Sequence, residues 1–207
     1  FEGGEGTGKS TQIKLLADYL KSKDKDVVLT KEPGGTDIGL ELRRILIEGE
    51  ISKLDAEAEA LLFFADRRIH MVKKVWPSIE DGKWVLSDRF ADSTMAYQYY
   101  AYDKRLSKEN INSLYAFAVG NFKPDLTIIL DIDPKVGLAR SFKKAATMTN
   151  KETRNENREL KWHENLRQGF IEIAKEEPQR CGVLNADKSI EELHKDIVKV
   201  VTERLGL

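Results

Sequence analysis

Residues 3–10 read Gly3-Gly4-Glu5-Gly6-Thr7-Gly8-Lys9-Ser10, and this stretch decides the fold of the 207-residue chain. Its spacing of glycines followed by Lys and Ser is that of a Walker A phosphate-binding loop, called the P-loop below. The glycines let the backbone turn its N–H groups inward, and the helix predicted from Lys9 adds its positive N-terminal end. The stretch, with Thr11 beside it, therefore predicts a site for the phosphates of a nucleoside triphosphate.

Composition indicates one globular enzyme-like domain spanning residues 1–207. Hydrophobic residues make up 41% and charged residues 33%, and the net charge is −1. Long basic runs and apolar stretches of about 18 residues are both missing from the sequence, so we expect neither a nucleic acid nor a membrane as partner. The single cysteine, Cys181, predicts a reducing, cytoplasmic location and an inert, buried thiol. Because the P-loop begins two residues after Phe1, we expect further residues of its leading strand to precede Phe1.

Short apolar runs alternate with helical patterns, which is typical of a parallel sheet with helices on both faces. Strands are predicted at 27–30, 84–87, 126–131 and 183–185, with a fifth leading into the P-loop. Helices are predicted after the P-loop, around Leu40–Leu46, from about Ala56 to Ile79, and from Ile190 to Val201. The pattern predicts an α/β P-loop fold with a five-stranded parallel sheet.

Residues 141–161 differ from the rest because they are polar, charged and poor in apolar periodicity. A solvated surface loop is one interpretation. The other is a mobile lid that brings cations onto a phosphate, as the lids of active sites commonly do.

Further motifs indicate a second ligand beside the P-loop. They are Lys31-Glu32-Pro33-Gly34-Gly35-Thr36, Leu42-Arg43-Arg44, the run from Leu61 to Arg67, and Ser87-Asp88-Arg89-Phe90 leading to Asp92–Gln98. The first and last of them follow predicted strands, at the carboxyl ends where open α/β sheets bind ligands.

In this order the motifs resemble the thymidylate kinase family, whose members phosphorylate dTMP with ATP. The resemblance covers nearly the whole chain and continues through Lys123–Thr127, Gly137–Arg140 and the run from His163 to Phe170. Each motif alone is weak, but together and in order they are specific. The resemblance implies a nucleoside monophosphate kinase fold, ATP and dTMP as ligands, Mg²⁺ as cofactor, and a homodimer in which the helix at 56–79 supplies an apolar face.

For dTMP, the resemblance implies that Phe63 stacks on the pyrimidine while Arg67, one helical turn later, donates to a base carbonyl. Phe64 is then expected in the core. Glu5 is implied to hold the 3′-hydroxyl of the sugar. The full set implied for dTMP is Glu5, Pro33, Arg43, Phe63, Arg67, Arg89, Thr94, Tyr97 and Gln98.

Guanidinium forks suit a phosphate, so Arg43 and Arg89 are expected to clamp the acceptor phosphate, whereas Arg44 is expected to face solvent. Ser10 and Asp88 are the predicted Mg²⁺ residues. For Asp88, a helix N-cap remains the alternative.

Phosphoryl transfer depends on positioning and charge neutralisation, and an acceptor phosphate is already ionised near neutral pH. A strong base is therefore not required. Accordingly, His70, His163 and His194 are interpreted as structural or solvated residues on helices away from the loops.

Some family members carry an arginine in the P-loop where this chain has Gly6, so the catalytic cation is expected from the lid. The resemblance assigns this role to Arg154 and packs Arg140 against adenine. The lid departs from the family pattern at Thr153 and Asn155. The predicted catalytic residues are Lys9, Asp88, Arg89 and Arg154.

Two alternatives remain open from the residues. One is another nucleoside monophosphate kinase or a deoxynucleoside kinase, in which Glu32 would activate a hydroxyl group. The other is a regulatory P-loop switch, although the sequence has no Asn-Lys-x-Asp guanine-reading motif.

Overall fold

The sheet consists of parallel strands in two pairs. The computed structural model describes residues 1–146 and 154–207. Within them, β1 (Val27–Lys31) pairs with β2 (Trp84–Asp88), and β3 (Thr127–Asp131) pairs with β4 (Cys181–Asn185). These are the four strands that the apolar runs predict.

Phe1 and Glu2 lie between the two pairs. Phe1 exchanges backbone hydrogen bonds of 2.8 and 2.9 Å with residues at the end of β2. Glu2 exchanges bonds of 2.8 and 2.9 Å with β3. The described residues therefore contain four strands, and two residues stand where the prediction puts the fifth.

Helices follow the strands along the chain. In the described residues they are α1 Lys9–Lys21, α2 Asp37–Ile47, α3 Ala56–His70, α4 Trp76–Glu80, α5 Ala91–Thr94, α6 Lys108–Val119, α7 Pro134–Ala145, α8 Leu160–Glu176 and α9 Ile190–Leu205. Ser, Thr and Asp side chains accept a backbone N–H at the starts of α2, α3, α6, α7 and α9. Such caps satisfy N–H groups that the first turn of a helix leaves unpaired.

The single long helix predicted from Ala56 to Ile79 is interrupted. A π-helical turn at Met71–Val75 separates α3 from α4. A second π-helical segment, Met95–Ala101, continues α5. Periodicity of 3.6 residues does not reveal such turns, because each adds only one residue to the repeat.

Alternate residues of β3 enter different clusters of the core. Ile128 and Leu130 pack among residues of α1 and α9, whereas Ile129 packs among residues of α8. Since neighbouring residues of a strand point to opposite faces, helices cover both faces of this part of the sheet. The predicted α/β layering is confirmed.

The polar segment at 141–161 is only partly irregular. Residues 141–145 belong to α7, and residues 160–161 begin α8. Residues 147–153, including Thr153, lie outside the described residues. Among the helices that are described, none is long and apolar enough to cross a membrane.

Candidate functional site

A cavity of about 330 Å³ lies beyond the carboxyl ends of β1 and β2, beside the P-loop. Most of the predicted site residues meet there. Its lining includes Glu5, Gly6, Lys9, Ser10, Pro33, Arg43, Phe63, Arg67, Asp88, Arg89, Thr94, Tyr97, Gln98 and Arg154. The predicted residues that do not line it are Gly3, Gly4, Thr7, Gly8, Thr11 and Arg140, all assigned to the ATP side.

Lys9 lies across the P-loop. Its Nζ donates to the carbonyl oxygens of Gly3 and Gly4 at 2.9 and 2.7 Å and to the hydroxyl of Thr7 at 3.2 Å. Burial, together with the charge of Arg89, lowers the pKa of Lys9 to about 8. A phosphate at this position would supply the negative charge that the buried ammonium lacks.

Gly6 is required by the packing of the P-loop on α7. Its φ is +68°, and a Cβ built there would lie 1.9 Å from the carbonyl oxygen of Gly137. In turn, a Cβ on Gly137 would lie 2.5 Å from the carbonyl oxygen of Glu5. An arginine at position 6 would therefore displace α7, which explains the departure from family members that carry one.

Ser10 and Asp88 meet at the edge of the cavity. The Ser10 hydroxyl donates to Asp88 Oδ2 at 2.8 Å. Burial would raise the pKa of Asp88, but Lys9, Arg89 and the Ser10 hydroxyl outweigh it and lower that pKa. The alternative role of Asp88 as a helix N-cap is wrong, because the N-cap position of the following α5 is Phe90.

Glu5 projects from the P-loop toward the far wall of the cavity. It accepts a 2.6 Å hydrogen bond from the Tyr97 hydroxyl, and Arg89 Nη2 lies 3.8 Å away. Burial would raise its pKa, but His163, Arg89 and Tyr97 together lower it to about 2. The carboxylate is therefore ionised throughout the physiological range.

The three predicted helical histidines do lie on helices, but not all are remote from the loops. His163 Nδ1 lies 3.6 Å from Glu5 Oε2 in the P-loop, and His70 Nδ1 lies 2.8 Å from Oε1 of Glu32, in the loop after β1. The prediction that the histidines lie away from the loops is therefore wrong for His163 and His70. Spacing within α8 could not reveal the His163 contact, because α8 and the P-loop are far apart in sequence. His194, on α9, is partly exposed.

Arg89 directly follows β2 and has a left-handed conformation, with φ of +73°. Its Nη1 donates to the Gly3 carbonyl and the Ser93 hydroxyl, both at 3.0 Å, and its guanidinium lies 4.9 Å from the Tyr97 ring centroid. Glu2 holds the turn that follows, accepting from the N–H of Phe90 at 2.8 Å. A strained residue held this firmly is typical of functional sites.

Arg67 is buried and held in one orientation. Its Nε donates to Glu32 Oε2 at 2.8 Å, and its Nη2 donates to the Thr94 hydroxyl at 3.1 Å. The guanidinium lies 4.7 and 5.1 Å from the ring centroids of Phe64 and Phe90. Nη1 has no hydrogen-bond partner in the described part of the chain. This donor is available to a ligand in the cavity.

Glu32 connects Arg67 to His70. Its second oxygen, Oε1, contacts His70 Nδ1 at 2.8 Å, and His70 Nε2 contacts the Thr30 hydroxyl at 2.6 Å. His70 is fully buried, so its interpretation as a structural residue is supported, with the added task of holding the partner of Arg67.

Phe63 and Phe64 lie in different environments, as the sequence predicts. Phe64 is 3% exposed and belongs to the core, whereas Phe63 is half-buried and lines the cavity. Arg43 Nη1 donates to the Pro33 carbonyl at 3.0 Å, and Arg44 is exposed. The expectation for Arg44 is confirmed.

Comparison with known proteins supports the family resemblance that the motifs indicate. A family model described as thymidylate kinase matches residues 1–197. A thymidylate kinase of Caulobacter vibrioides is 42% identical over 207 residues, covering 100% of this chain and 96% of the relative. One of Bradyrhizobium sp. is 42% identical over 205 residues, covering 99% and 89%. The chain belongs to the thymidylate kinase family.

A solved structure from the same family supports the fold. The thymidylate kinase of Ehrlichia chaffeensis is 35% identical, with a TM-score of 0.77, and the match covers 97% of this chain and 96% of that one. The α/β P-loop kinase fold implied by the motifs is therefore confirmed.

Arg154, which thymidylate kinase motifs predict as the lid cation, is anchored in the cavity wall. Its Nη1 donates to the Leu46 carbonyl at 2.7 Å and its Nε to the Glu50 carbonyl at 3.1 Å. Its Nη2 lies 2.7 Å from Glu59 Oε1. The side chain is 4% exposed, so the arginine ties the residues after α7 to the end of α2.

Arg140 lies on α7 and contacts the loop after β4. It donates to the Ala186 carbonyl at 3.0 Å and to Asp187 Oδ1 at 2.8 Å. Its adenine-packing role within the thymidylate kinase fold stays a prediction.

Glu59 is a residue that the motifs do not identify, and it lies behind the cavity lining, where it contacts Gln98 and Arg154. It lies one turn before Phe63 and two before Arg67 on α3, with 3% exposure. A buried acidic residue at this spacing on the ligand-facing side of a helix is a signal that could have been used.

The raised pKa of Asp66 predicts how the stability of the protein changes with pH. Asp66 accepts from the Gly34 N–H at 3.2 Å, and burial, with the charge of Glu32, raises its pKa to about 6. A raised carboxyl pKa means that ionisation costs stability, and the cost appears as pH rises from about 4 to above 6. Asp66→Asn should therefore increase the free energy of unfolding at pH 7.5 by about 1–2 kcal/mol and leave it nearly unchanged at pH 4.5. Urea unfolding at both pH values checks this, and equal effects at the two would contradict it.

Proposed function

We propose that this chain transfers the γ-phosphoryl group of ATP to the phosphate of dTMP, giving dTDP and ADP. The observation that carries the proposal is the cavity in which Lys9 of the P-loop and a set of arginines meet aromatic and amide side chains. Family membership indicates a phosphotransferase, and this cavity has the chemistry of a nucleotide acceptor site.

The donor side is the P-loop. Lys9 would bind the β- and γ-phosphates, since its ammonium is buried with only neutral oxygen partners. Adenine would pack against Arg140.

Ser10 and Asp88 fit a Mg²⁺ ion that is held mainly by nucleotide phosphates. Their oxygens lie 2.8 Å apart at the cavity edge, and Mg²⁺ commonly uses one or two protein oxygens beside phosphates and water. No group of three or more His, Cys, Asp or Glu residues suited to a metal occurs in the described ranges. When bound, Mg²⁺ neutralises charge on the phosphates.

The acceptor side is formed by α3, the loop after β2 and the segment that includes Tyr97. Phe63 would stack on the thymine, and Arg67 Nη1 would donate to a base carbonyl. Glu5 is ionised and accepts a hydrogen bond from Tyr97, and it would also accept a hydrogen bond from the 3′-hydroxyl of the deoxyribose. Arg43 and Arg89 would hold the acceptor phosphate in line with the γ-phosphate.

Transfer then requires position and positive charge. The acceptor phosphate is its own nucleophile, so these residues need only align it and neutralise the equatorial oxygens. Lys9, Arg89 and Arg154 are the cations of this cavity that we assign to that task.

The nucleoside kinase alternative depends on Glu32 acting as a base. Both oxygens of Glu32 are already bonded, to Arg67 at 2.8 Å and to His70 at 2.8 Å. A carboxylate engaged in this way is poorly placed to take a proton from a substrate hydroxyl. Family membership also speaks against the regulatory switch.

The test is an ADP-release assay with ATP and Mg²⁺ across dTMP, dUMP, dCMP, dAMP and thymidine. We expect dTMP to give the highest kcat/KM and thymidine to give no turnover above background, because thymidine lacks the phosphate nucleophile. Equal turnover without any acceptor would favour a switch, and turnover of thymidine would favour a nucleoside kinase.

We further propose the finer features that the sequence predicts. Phe1 and Glu2 would belong to a fifth, central strand, because their backbones bond to the end of β2 on one side and to β3 on the other. The segment between α7 and α8 would act as the lid of a single domain.

A homodimer is supported by apolar side chains on the surface, with Leu61 57% and Phe117 90% exposed. A cytoplasmic location is supported by the single cysteine, Cys181, because a chain with one cysteine forms no internal disulfide and fits a reducing compartment.

A further inference from the structure

Glu59 lies behind the cavity wall and contacts two residues that line the cavity, Gln98 and Arg154. Its Oε2 accepts a hydrogen bond from Gln98 Nε2 at 2.9 Å. Its Oε1 accepts from the Tyr102 hydroxyl at 3.2 Å and lies 2.7 Å from Arg154 Nη2. Both oxygens of the carboxylate therefore have partners, the guanidinium of Arg154 for one and the amide of Gln98 for the other. The residue is 3% exposed.

The contact with Glu59 decides which end of the Gln98 amide faces the cavity. A carboxylate is an acceptor only, so it can hold the NH₂ end of the amide and not the carbonyl end. Gln98 Oε1 is consequently turned away from Glu59. It is buried and has no hydrogen-bond partner among residues 1–146 and 154–207. The cavity thus receives an acceptor at this position.

Arg67 presents the complementary group. Its Nη1 is a buried donor without a partner among the same residues, and its Nη2 is bonded to Thr94, one turn before Gln98 on the same segment. The cavity wall thus offers one donor and one acceptor from neighbouring residues. A carbonyl next to an imide N–H, as in thymine or uracil, satisfies both. Cytosine has an amino group and a ring-nitrogen acceptor at the same two positions and satisfies neither.

We propose that Glu59 is a positioning residue that sets base specificity: by holding the NH₂ of Gln98, it makes the site select an imide pyrimidine over an aminopyrimidine. The inference rests on the proposed function, since it requires that Gln98 and Arg67 face the acceptor base. Turning the Gln98 amide around would bring its carbonyl oxygen against the Glu59 carboxylate, and an unpaired buried acceptor of this kind is costly.

Glu59→Gln is the direct test. A glutamine side chain can either accept from or donate to Gln98, so both amide orientations become possible. We expect the ratio of kcat/KM for dTMP to kcat/KM for dCMP to fall by about tenfold or more. Some discrimination should survive, because Arg67 still presents a donor.

The ratio of kcat/KM for dTMP to that for dCMP distinguishes a role of Glu59 in base specificity from a purely structural role. Glu59 also contacts Arg154, so the substitution should lower kcat for both substrates, and that common loss cancels in the ratio. Tyr102→Phe is the matched control, because it removes a contact to Glu59 Oε1 without touching Gln98; its ratio should equal that of the wild type. An active Glu59→Gln variant with a ratio within twofold of the wild type would overturn the proposal.

A second variant keeps the test decisive if Glu59→Gln does not fold. Glu59→Asp keeps the negative charge but shortens the side chain by one methylene, which withdraws the carboxylate from Gln98, so its ratio should also fall, by about threefold or more. An unchanged ratio there would overturn the proposal equally. Failure of the wild-type protein to phosphorylate dTMP would instead contradict the proposed function, and the two failures are therefore distinguishable.

Discussion

Lys9→Met should lower kcat with ATP and dTMP by about three orders of magnitude, the scale on which a transition-state charge contact contributes. The methionine keeps the apolar stem of the side chain and removes only the ammonium. Because burial lowers the pKa of Lys9 to about 8, the charged form is poorly compensated, and its removal should not lower the melting temperature. Loss of activity with unchanged stability is the expected combination, measured by ADP release and thermal unfolding.

The matched control for Lys9 is Lys14→Met, on the same helix. Lys14 is exposed, so its substitution should leave kcat within twofold of the wild type. A Lys9→Met variant that retained more than a tenth of wild-type turnover would refute the assignment of Lys9 to the transferring phosphate.

Arg154→Ala should lower kcat by two or more orders of magnitude with a modest change in KM. An interaction made chiefly in the transition state lowers turnover more than substrate binding. The contacts add a second expectation. Arg154 Nη1 bonds to the Leu46 carbonyl at 2.7 Å and its Nη2 lies 2.7 Å from Glu59, so its removal should also lower the free energy of unfolding by about 1–3 kcal/mol. Unchanged turnover would eliminate the lid-arginine assignment.

Arg158→Ala is the control for Arg154. Arg158 also contacts Glu59, at 3.5 Å, and its guanidinium lies 4.7 Å from the Tyr102 ring centroid, but it does not line the cavity. We expect a loss of kcat below tenfold. A larger loss for Arg158→Ala than for Arg154→Ala would transfer the catalytic role to Arg158.

Motif order was enough to predict the family, the alternation of strands and helices, and most of the cavity lining. The P-loop and the motifs after β1 and β2 are predictable because each follows a strand, and parallel strands bring their carboxyl ends to one edge of the sheet. Arg43, Phe63 and Arg67 lie on helices, and the resemblance to the family predicts them. The motif pattern marks Gly6 only as a position where some other family members carry an arginine. Its packing reason, the contact with Gly137, depends on a residue 131 positions away, which spacing cannot reveal.

The same limit explains the errors. The π-helical turn after α3 and the contact of His163 with Glu5 depend on tertiary packing, and the residue patterns around them are ordinary. Asp88 could be an N-cap by sequence, because an acidic residue before a helix suits either role. Its hydrogen bond to Ser10, across 78 residues, separates the two readings.

The sequence alone was enough to predict the P-loop, the strand order along the chain and most of the residues that line the cavity, because these depend on local spacing and on the directions of strands. How those residues are held depends on the tertiary structure. The Glu59 contacts with Gln98 and Arg154, the bonds of Glu32 to Arg67 and His70, and the place of Phe1 and Glu2 between two strand pairs join distant parts of the chain. The physical reason is that a hydrogen bond between buried groups depends on where the fold brings them together, whereas a motif records only which groups are near in sequence.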